Sequence, residues 1–341
     1  MFKKLFLTLI AIFVIGSVAQ AQNDTVQLEN KTIKCKITDM TSTELTVEDR
    51  GVEDVIPVNK IKGILFNREP AQFPNVRSLI ESGSNEDALE LLTEDIRNTM
   101  GGSKTLNQEM DYLIARTKAN IALSGGAVTK ADAAKTCEAF VTKYPKNYHY
   151  FDACEMTGDL YVAINTEASL KKAAEMYQKL NTAPWNDVKM RSLSAMGKIF
   201  LSQNKIENAQ KAYNAILKME DKSAAADRQR LLAKMGLAKC KALSGDYKGA
   251  VKDVEAILVN APPEDYAINA LGYNTLGLAY KAGGQDKDAL VAFLQVDLLY
   301  SRDVQSHIEA LKNLRELWIK MEMPQRAQEC SAKLKNYGID N

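Results

Sequence analysis

Histidine and tryptophan are scarce in this sequence, which has two of each among 341 residues. His149 and His307 are far apart in the chain, and neither belongs to an H-E-x-x-H spacing or to a set of zinc ligands. We therefore interpret both as isolated surface histidines. The forms G-x-x-x-x-G-K-S/T, G-x-G-x-x-G and G-x-S-x-G are also absent, which leaves no motif for nucleotide binding or serine hydrolysis. The sequence thus predicts no catalytic residue, no metal site and no cofactor, and we do not expect an enzyme.

An excess of charge of either sign is absent as well. Lysine and arginine total 44, aspartate and glutamate total 43, and the formal net charge is +1. A nearly neutral chain has no general attraction to nucleic acid or to anionic lipid, so neither is predicted as a partner. The hydrophobic content of 46% and the charged content of 26% are typical of a folded protein.

Cysteine is infrequent, and its positions form no C-x-x-C pair. The chain has five cysteines, and an odd number in an exported protein leaves at least one free thiol. We interpret each of them as a small buried hydrophobic side chain. Cys137 and Cys154 alone are close enough in sequence to suggest a disulfide between two helices, and that alternative stays open.

Residues 1–21 have the three parts of a secretory signal peptide. "MFKK" supplies a positive start, "LFLTLIAIFVIGSV" an apolar segment, and Ala19-Gln20-Ala21 a small-x-small cleavage site. The apolar run is shorter than the roughly 20 residues that a membrane-spanning helix needs, which disfavours an uncleaved anchor. We expect export to the periplasm or secretion, and no integral membrane segment after cleavage.

Residues 24–68 have the short alternating runs of a small all-β domain. Five segments are rich in β-branched residues: "TVQL", "TIKCKI", "ELTV", "DVIPV" and "IKGILF". Five strands this short favour a closed or half-open packing without long exposed edges. The pattern resembles small SH3-like or Sm-like barrels. Phe66 is the only aromatic residue of the segment, so we assign it no ligand.

Composition changes after "NREPAQFPN", where two prolines mark a boundary. From residue 75 to residue 338, alanine, leucine, lysine and glutamate dominate, and apolar residues recur at helical spacing. This region is predicted to contain helices only, and the protein as a whole to be mainly α.

A repeat runs through the helical region, and its clearest copy is "YNTLGLAYKAGGQDKDALVAF" at residues 273–293. The other copies align on small residues at intervals of 36 to 45 residues, and the register alanines are Ala88, Ala133, Ala173, Ala209, Ala250, Ala289 and Ala327. The pattern resembles the tetratricopeptide repeat, a helix-turn-helix unit that is usually 34 residues long. The resemblance covers residues 75–338 and implies an α-α superhelix of about seven helix pairs, or about fourteen helices.

Within this register, Gly277 is predicted to face the alanine twelve residues later, so that the two helices of a unit approach closely. Gly197 and Gly158 occupy the same position in earlier units. Large side chains beside them, such as Tyr280 and Phe293, are predicted to fill the space between units.

The resemblance implies that the first helix of each unit lines a concave binding surface. Asp152, Glu155 and Asp159 fall on inward positions of the third unit, which makes that part acidic. The later units supply the predicted partner-binding residues, namely Arg191, Lys198, Lys239, Asn274, Lys281, Lys312 and Asn313. Tetratricopeptide domains that hold a C-terminal carboxylate use lysine and asparagine at such positions, and Asn274 and Lys281 match in type. The full set is not reproduced, so a solvated charged face is the other interpretation.

These observations predict a non-enzymatic scaffold or adaptor of a bacterial cell envelope that binds a protein or peptide on its concave face. The stretch of residues 140–161 is similar to exported bacterial tetratricopeptide proteins of the envelope-assembly kind, which favours that compartment. The alternative is an accessory or regulatory module of an envelope enzyme complex, which contacts a cell-wall polymer through the β-domain. The polar end "LKNYGIDN" can cap the solenoid and favours a monomer.

Overall fold

The structure is a computed structural model that describes residues 23–339. The predicted signal peptide lies outside the described residues. An antiparallel sheet of five strands comes first, in the strand order β4-β3-β2-β1-β5, and each strand overlaps one of the predicted segments. The strands are β1 (Asp24–Leu28), β2 (Thr32–Met40), β3 (Glu44–Asp49), β4 (Val52–Pro57) and β5 (Ile61–Leu65).

The edge strand β4 is protected against pairing with another chain. The Asp54 carboxylate accepts a hydrogen bond of 2.8 Å from the Val55 N–H, and Pro57 has no N–H to offer. Among the described residues, no pairing joins β4 to β5. The five strands are confirmed, whereas the closure into an SH3-like or Sm-like barrel stays a prediction.

Helices occupy the rest of the described chain. The part of the chain that the structure describes contains no helix that combines the length and the hydropathy needed to cross a bilayer. The helices are α1 (Gln72–Ser82), α2 (Asn85–Leu91), α3 (Glu94–Thr99), α4 (Lys104–Leu123), α5 (Lys130–Lys143), α6 (Tyr150–Ile164), α7 (Glu167–Leu180), α8 (Asn186–Ser202), α9 (Ile206–Lys218), α10 (Ala224–Leu243), α11 (Tyr247–Leu258), α12 (Tyr266–Ala282), α13 (Asp286–Leu299), α14 (Val304–Lys320) and α15 (Pro324–Lys335).

Fourteen of the helices form seven antiparallel pairs, which confirms the predicted solenoid. The units are α1–α2, α4–α5, α6–α7, α8–α9, α10–α11, α12–α13 and α14–α15. The register alanines all lie on the second helix of their units, and all are buried. The additional helix, α3, is a short segment between the first two units, and the Thr93 hydroxyl caps it by accepting from the Ile96 N–H.

The sheet and the first helices share one hydrophobic core. Val26, Leu45 and Ile64 of the sheet are buried in the same cluster as Phe73 and Val76 of α1. Helix α1 begins at Gln72, three residues before the predicted helical region, because Pro74 is tolerated within a first turn. The boundaries of the two predicted domains stay predictions, since the core is continuous across them.

The register glycines Gly158, Gly197 and Gly277 each make room for an aromatic ring. A Cβ atom on Gly277 would lie 2.6 Å from ring atoms of Phe293, and one on Gly197 would lie 2.5 Å from the ring of Tyr213. Phe293 supplies the atoms nearest to Gly277, and the predicted contact of Gly277 with Ala289 stays a prediction. The aromatic side chain one turn further along the second helix lies over the glycine, because it is long enough to cross the space between the two helices.

The end of the solenoid contacts its second unit. Gly125, in the loop between α4 and α5, has a φ of +84°, and a Cβ atom there would lie 2.6 Å from the Cα atom of Tyr337. Glycine is required here both by the left-handed backbone and by the close approach of the C-terminal segment. The seven units therefore follow a curve that brings the C-terminal segment into contact with the second unit.

Candidate interaction surface on the concave face

The first helices of the units form the inner side of the curve. Packing contacts join α4 to α6, α8 to α10, α10 to α12 and α12 to α14. No second helix packs comparably on the second helix of the next unit. Since elements on the inside of a curve approach one another more closely, the first helices line the concave face, as in other solenoids.

Most of the predicted partner-binding cations are already paired within the protein. Arg191 of α8 forms ion pairs with Glu155 and Asp152 of α6. The Lys281 Nζ atom lies 2.5 Å from Glu316 and donates to the Asn313 side chain at 3.0 Å. These pairs stabilise the stacking of neighbouring units.

On the concave face, side chains of the two neighbouring units cover α12. The Lys239 Nζ atom on α10 lies 2.5 Å from the Glu309 carboxylate on α14, so these side chains meet across the intervening helix. Asn274 of α12 is 0% exposed, and its side-chain amide donates to the Ser306 carbonyl at 2.8 Å. The prediction that Asn274 faces the groove is therefore wrong, because α10 and α14 cover this position.

Lys198 and Lys312 remain exposed and make no ion pair within residues 23–339. Lys198 lies near the acidic side chains of α6, since its ammonium opposes the rise in pKa of both Glu155 and Asp159. A role in partner binding stays a prediction for these two lysines.

An open cavity lies on the concave face between the second and third units. Its volume is about 310 Å³. Its lining comes from one face of each first helix and consists of Tyr112, Arg116 and Asn120 of α4 with Asp152, Glu155, Met156 and Asp159 of α6. The sequence predicted the three acidic residues at this surface. It missed the residues of α4, although their spacing of four residues places them on one helix face.

Two carboxyl groups of the cavity resist ionisation. Burial raises the pKa of Glu155 to about 7; Arg191 opposes this shift, while Asp159 and Asp152 add to it. Burial also raises the pKa of Asp159, and the hydrogen bond donated by the Tyr177 hydroxyl opposes that shift at 2.6 Å. A nearby cation would favour the ionised form of both groups.

Both histidines belong to buried networks, so their interpretation as surface histidines is wrong. The His149 ring stacks on Tyr112 with centroids 3.4 Å apart, and its Nε2 atom lies 3.3 Å from Glu109. His307 is 6% exposed, with Nε2 at 2.8 Å from Asp297 and Nδ1 at 2.8 Å from the Tyr337 hydroxyl. Neighbouring side chains cover both imidazole rings.

All five cysteines are free and buried, which contradicts the suggested disulfide. The Cys137 thiol lies 3.5 Å from the Ala115 carbonyl of α4, whereas Cys154 packs in a different cluster with Phe151. Burial raises the pKa of both thiols to about 12. Within the described range, no group of three or more histidine, cysteine, aspartate or glutamate side chains is placed to hold a metal ion.

Comparison with known proteins identifies the fold. No family model matches the chain, and no curated protein matches it. A tetratricopeptide repeat protein from Parabacteroides merdae has a TM-score of 0.53 with this chain and 15% sequence identity, over 79% of this chain and 92% of that chain. The chain has a helical-repeat fold. A Rap protein complexed with competence and sporulation factor also has 15% identity, over 78% of this chain and 75% of that chain, with a TM-score of 0.48.

Proposed function

We propose that this protein is a non-enzymatic interaction scaffold or adaptor of a bacterial cell envelope. It holds a segment of a partner protein on the concave face between the second and fourth units. The observation that carries the proposal is the cavity of about 310 Å³ between α4 and α6. Concave surfaces of stacked helix pairs are the usual binding surfaces of solenoids, and this cavity combines hydrogen-bonding and charged side chains with the apolar Met156.

The position of the partner follows from where the concave face is open. At the fifth to seventh units, the contact of Lys239 with Glu309 covers α12. At the second and third units the side chains of α4 and α6 stand apart and enclose the cavity. A partner segment therefore enters at the N-terminal half of the solenoid.

The non-enzymatic part of the proposal is supported by the state of the nucleophilic and basic groups. Every cysteine is buried with a raised thiol pKa, and both histidines donate or accept hydrogen bonds in structural networks. The described residues thus place neither thiol nor imidazole in the cavity. The envelope part is supported by the signal-peptide pattern of residues 1–21.

Photo-crosslinking in the native host tests the proposal. The full chain carries p-benzoyl-phenylalanine either at Met156 in the cavity or at Glu175, which is exposed on the outer helix α7. We expect protein adducts from the Met156 position and none from the Glu175 position, with mass spectrometry to identify the partner. Equal adducts at both positions, or none at either, would contradict the proposal. Retention of the purified chain by sedimented cell wall would instead support the alternative, a module that contacts a cell-wall polymer.

A further inference from the structure

Each of the three carboxylates that line the cavity has at least one oxygen without a hydrogen-bond partner in the part of the chain that the structure describes. Asp152, Glu155 and Asp159 share one face of α6, since they are three and four residues apart. One oxygen of each is engaged, by Arg191 for Asp152 and Glu155 and by the Tyr177 hydroxyl for Asp159. Among the described residues, the second oxygen of each carboxylate accepts no hydrogen bond. Three acceptor oxygens of one helix face are therefore left for a ligand.

Tyr112 provides an independent observation that points to a ligand. Its side chain lines the cavity, is only 4% exposed, and makes no hydrogen bond to any described residue. After burial, the charged groups that act most strongly on its phenol are Asp152 and Arg116, both in the cavity lining. The hydroxyl is not among the fully buried side-chain atoms that lack a partner, so it is reached from the cavity that its side chain lines. A phenol hydroxyl can both donate and accept, and this one is open to a ligand in the cavity.

We infer that the cavity binds a cationic side chain, arginine or lysine, of the partner segment. This inference rests on the proposed function and names the chemistry that its site recognises. The three carboxylate oxygens and the Tyr112 hydroxyl accept hydrogen bonds from the cation. A guanidinium group has five N–H donors in a planar fork, which suits several acceptors at once.

Arg116 lies on the opposite wall of the cavity, on α4, and makes no ion pair within residues 23–339. Its positive charge opposes the entry of a cation, so the acceptor oxygens of α6 must outweigh it. Its guanidinium is left to donate to a carbonyl oxygen or an acidic side chain of the same segment.

The titration of Glu155 makes binding depend on pH. The charged groups that face it are Arg191 and Lys198 of α8, Arg116 of α4, and Asp152 and Asp159 of its own helix, and burial raises its pKa to about 7. Its ionised fraction rises from about a tenth at pH 6 to about nine tenths at pH 8. Because the cation needs the ionised form, we expect affinity to rise by up to about tenfold over this range.

A random heptapeptide library displayed on phage tests the inference with the full chain. We expect selected peptides to be enriched in arginine or lysine at one position. Replacing that residue by citrulline or acetyl-lysine in the synthetic peptide should weaken binding about tenfold or more, since a charge-assisted hydrogen bond is lost. Glu155→Gln should weaken binding similarly and remove the pH dependence, and Asp152→Asn should weaken it as well. Glu175→Gln on the outer face is the matched control and should change nothing.

The outcomes separate the two proposals. Selected peptides that crosslink to the cavity without a basic preference, and that bind Glu155→Gln as well as the original chain, overturn the inference and leave the proposed function in place. A library that yields no binder, or only binders insensitive to the cavity variants and crosslinked elsewhere, overturns both. Asp152 is exposed, and its replacement keeps the pair of Arg191 with Glu155, so Asp152→Asn should fold normally, as circular dichroism will verify.

Discussion

Replacing Gly277 by alanine tests how the repeat units pack. A Cβ atom at this position would lie 2.6 Å from two ring atoms of Phe293, and Phe293 is completely buried. Adding a methyl group to a packed core costs about 1–3 kcal/mol. Alanine in a helix is favoured over glycine by about 1 kcal/mol, which offsets part of that cost. We expect Gly277→Ala to lower the free energy of unfolding by up to about 2 kcal/mol.

As a control, Gly277→Ala is also made in a chain that already carries Phe293→Leu. This second substitution removes the ring that the added methyl group would contact. In that background only the helix propensity remains, so Gly277→Ala should raise the free energy of unfolding by about 0.5–1 kcal/mol. The sign of the effect of the same substitution thus reverses between the two backgrounds. The coupling between positions 277 and 293 should be about 2 kcal/mol, within the range for side chains in direct contact.

Urea unfolding followed by circular dichroism gives the stability of the four chains. Solenoids can unfold one unit at a time, so hydrogen exchange of α12 and α13 is the second measurement and reports the sixth unit directly. An increase in stability from Gly277→Ala in both backgrounds would show that the ring moves aside, and the proposed role of the repeat glycine would be wrong.

Three further predictions concern the thiols, the C-terminal contact and the cavity. None of the five cysteines should react with iodoacetamide in the folded protein and all should react in denaturant, as mass spectrometry will show; modification without denaturant would contradict their burial. Gly125→Val should clash with the backbone of Tyr337 and expose the C-terminal segment to limited proteolysis, whereas unchanged protection would mean that the loop can shift. The pKa of Glu155 is raised above its unfolded value, so its contribution to stability is fully present below about pH 4.5 and is lost as the pH rises through about 7. Glu155→Gln should remove this component from stability measured against pH, and an identical pH profile for the variant would refute the shift.

The repeat could be predicted because its information is local. Helical spacing and a buried alanine in the second helix recur in every unit, and a glycine in the first helix recurs at Gly158, Gly197 and Gly277, so the seven pairs follow from sequence register. That an aromatic ring is nearest to the glycine was not predicted, since Ala289 and Phe293 lie on the same face of α13 and the length of the side chain decides which atoms come nearest. Helix α3 was missed because it is short and lies outside the repeat.

The candidate site could be predicted only in part. The spacing of Asp152, Glu155 and Asp159 placed them on one face, and the structure brings them to the cavity. Tyr112 was missed because the sequence alignment assigned no inward-facing residue to the first helix of the second unit. The sequence could not show which of the predicted lysine and arginine side chains are free to bind a partner. Lys239, for example, pairs with Glu309, which is seventy residues away in another unit.

The amino-acid sequence by itself determined the class of protein, because periodicity, composition and the repeat of small residues act over a few turns of helix. It specified a five-stranded segment, a run of helix pairs and a chain without a recognisable catalytic motif. The curvature of the solenoid was decided only by the tertiary structure. That curvature covers Asn274, joins the C-terminal segment to Gly125 and leaves the acidic side chains of α6 open to a partner. Long-range packing among helices decides which charged side chains pair within the protein and which of their polar atoms stay open to a partner.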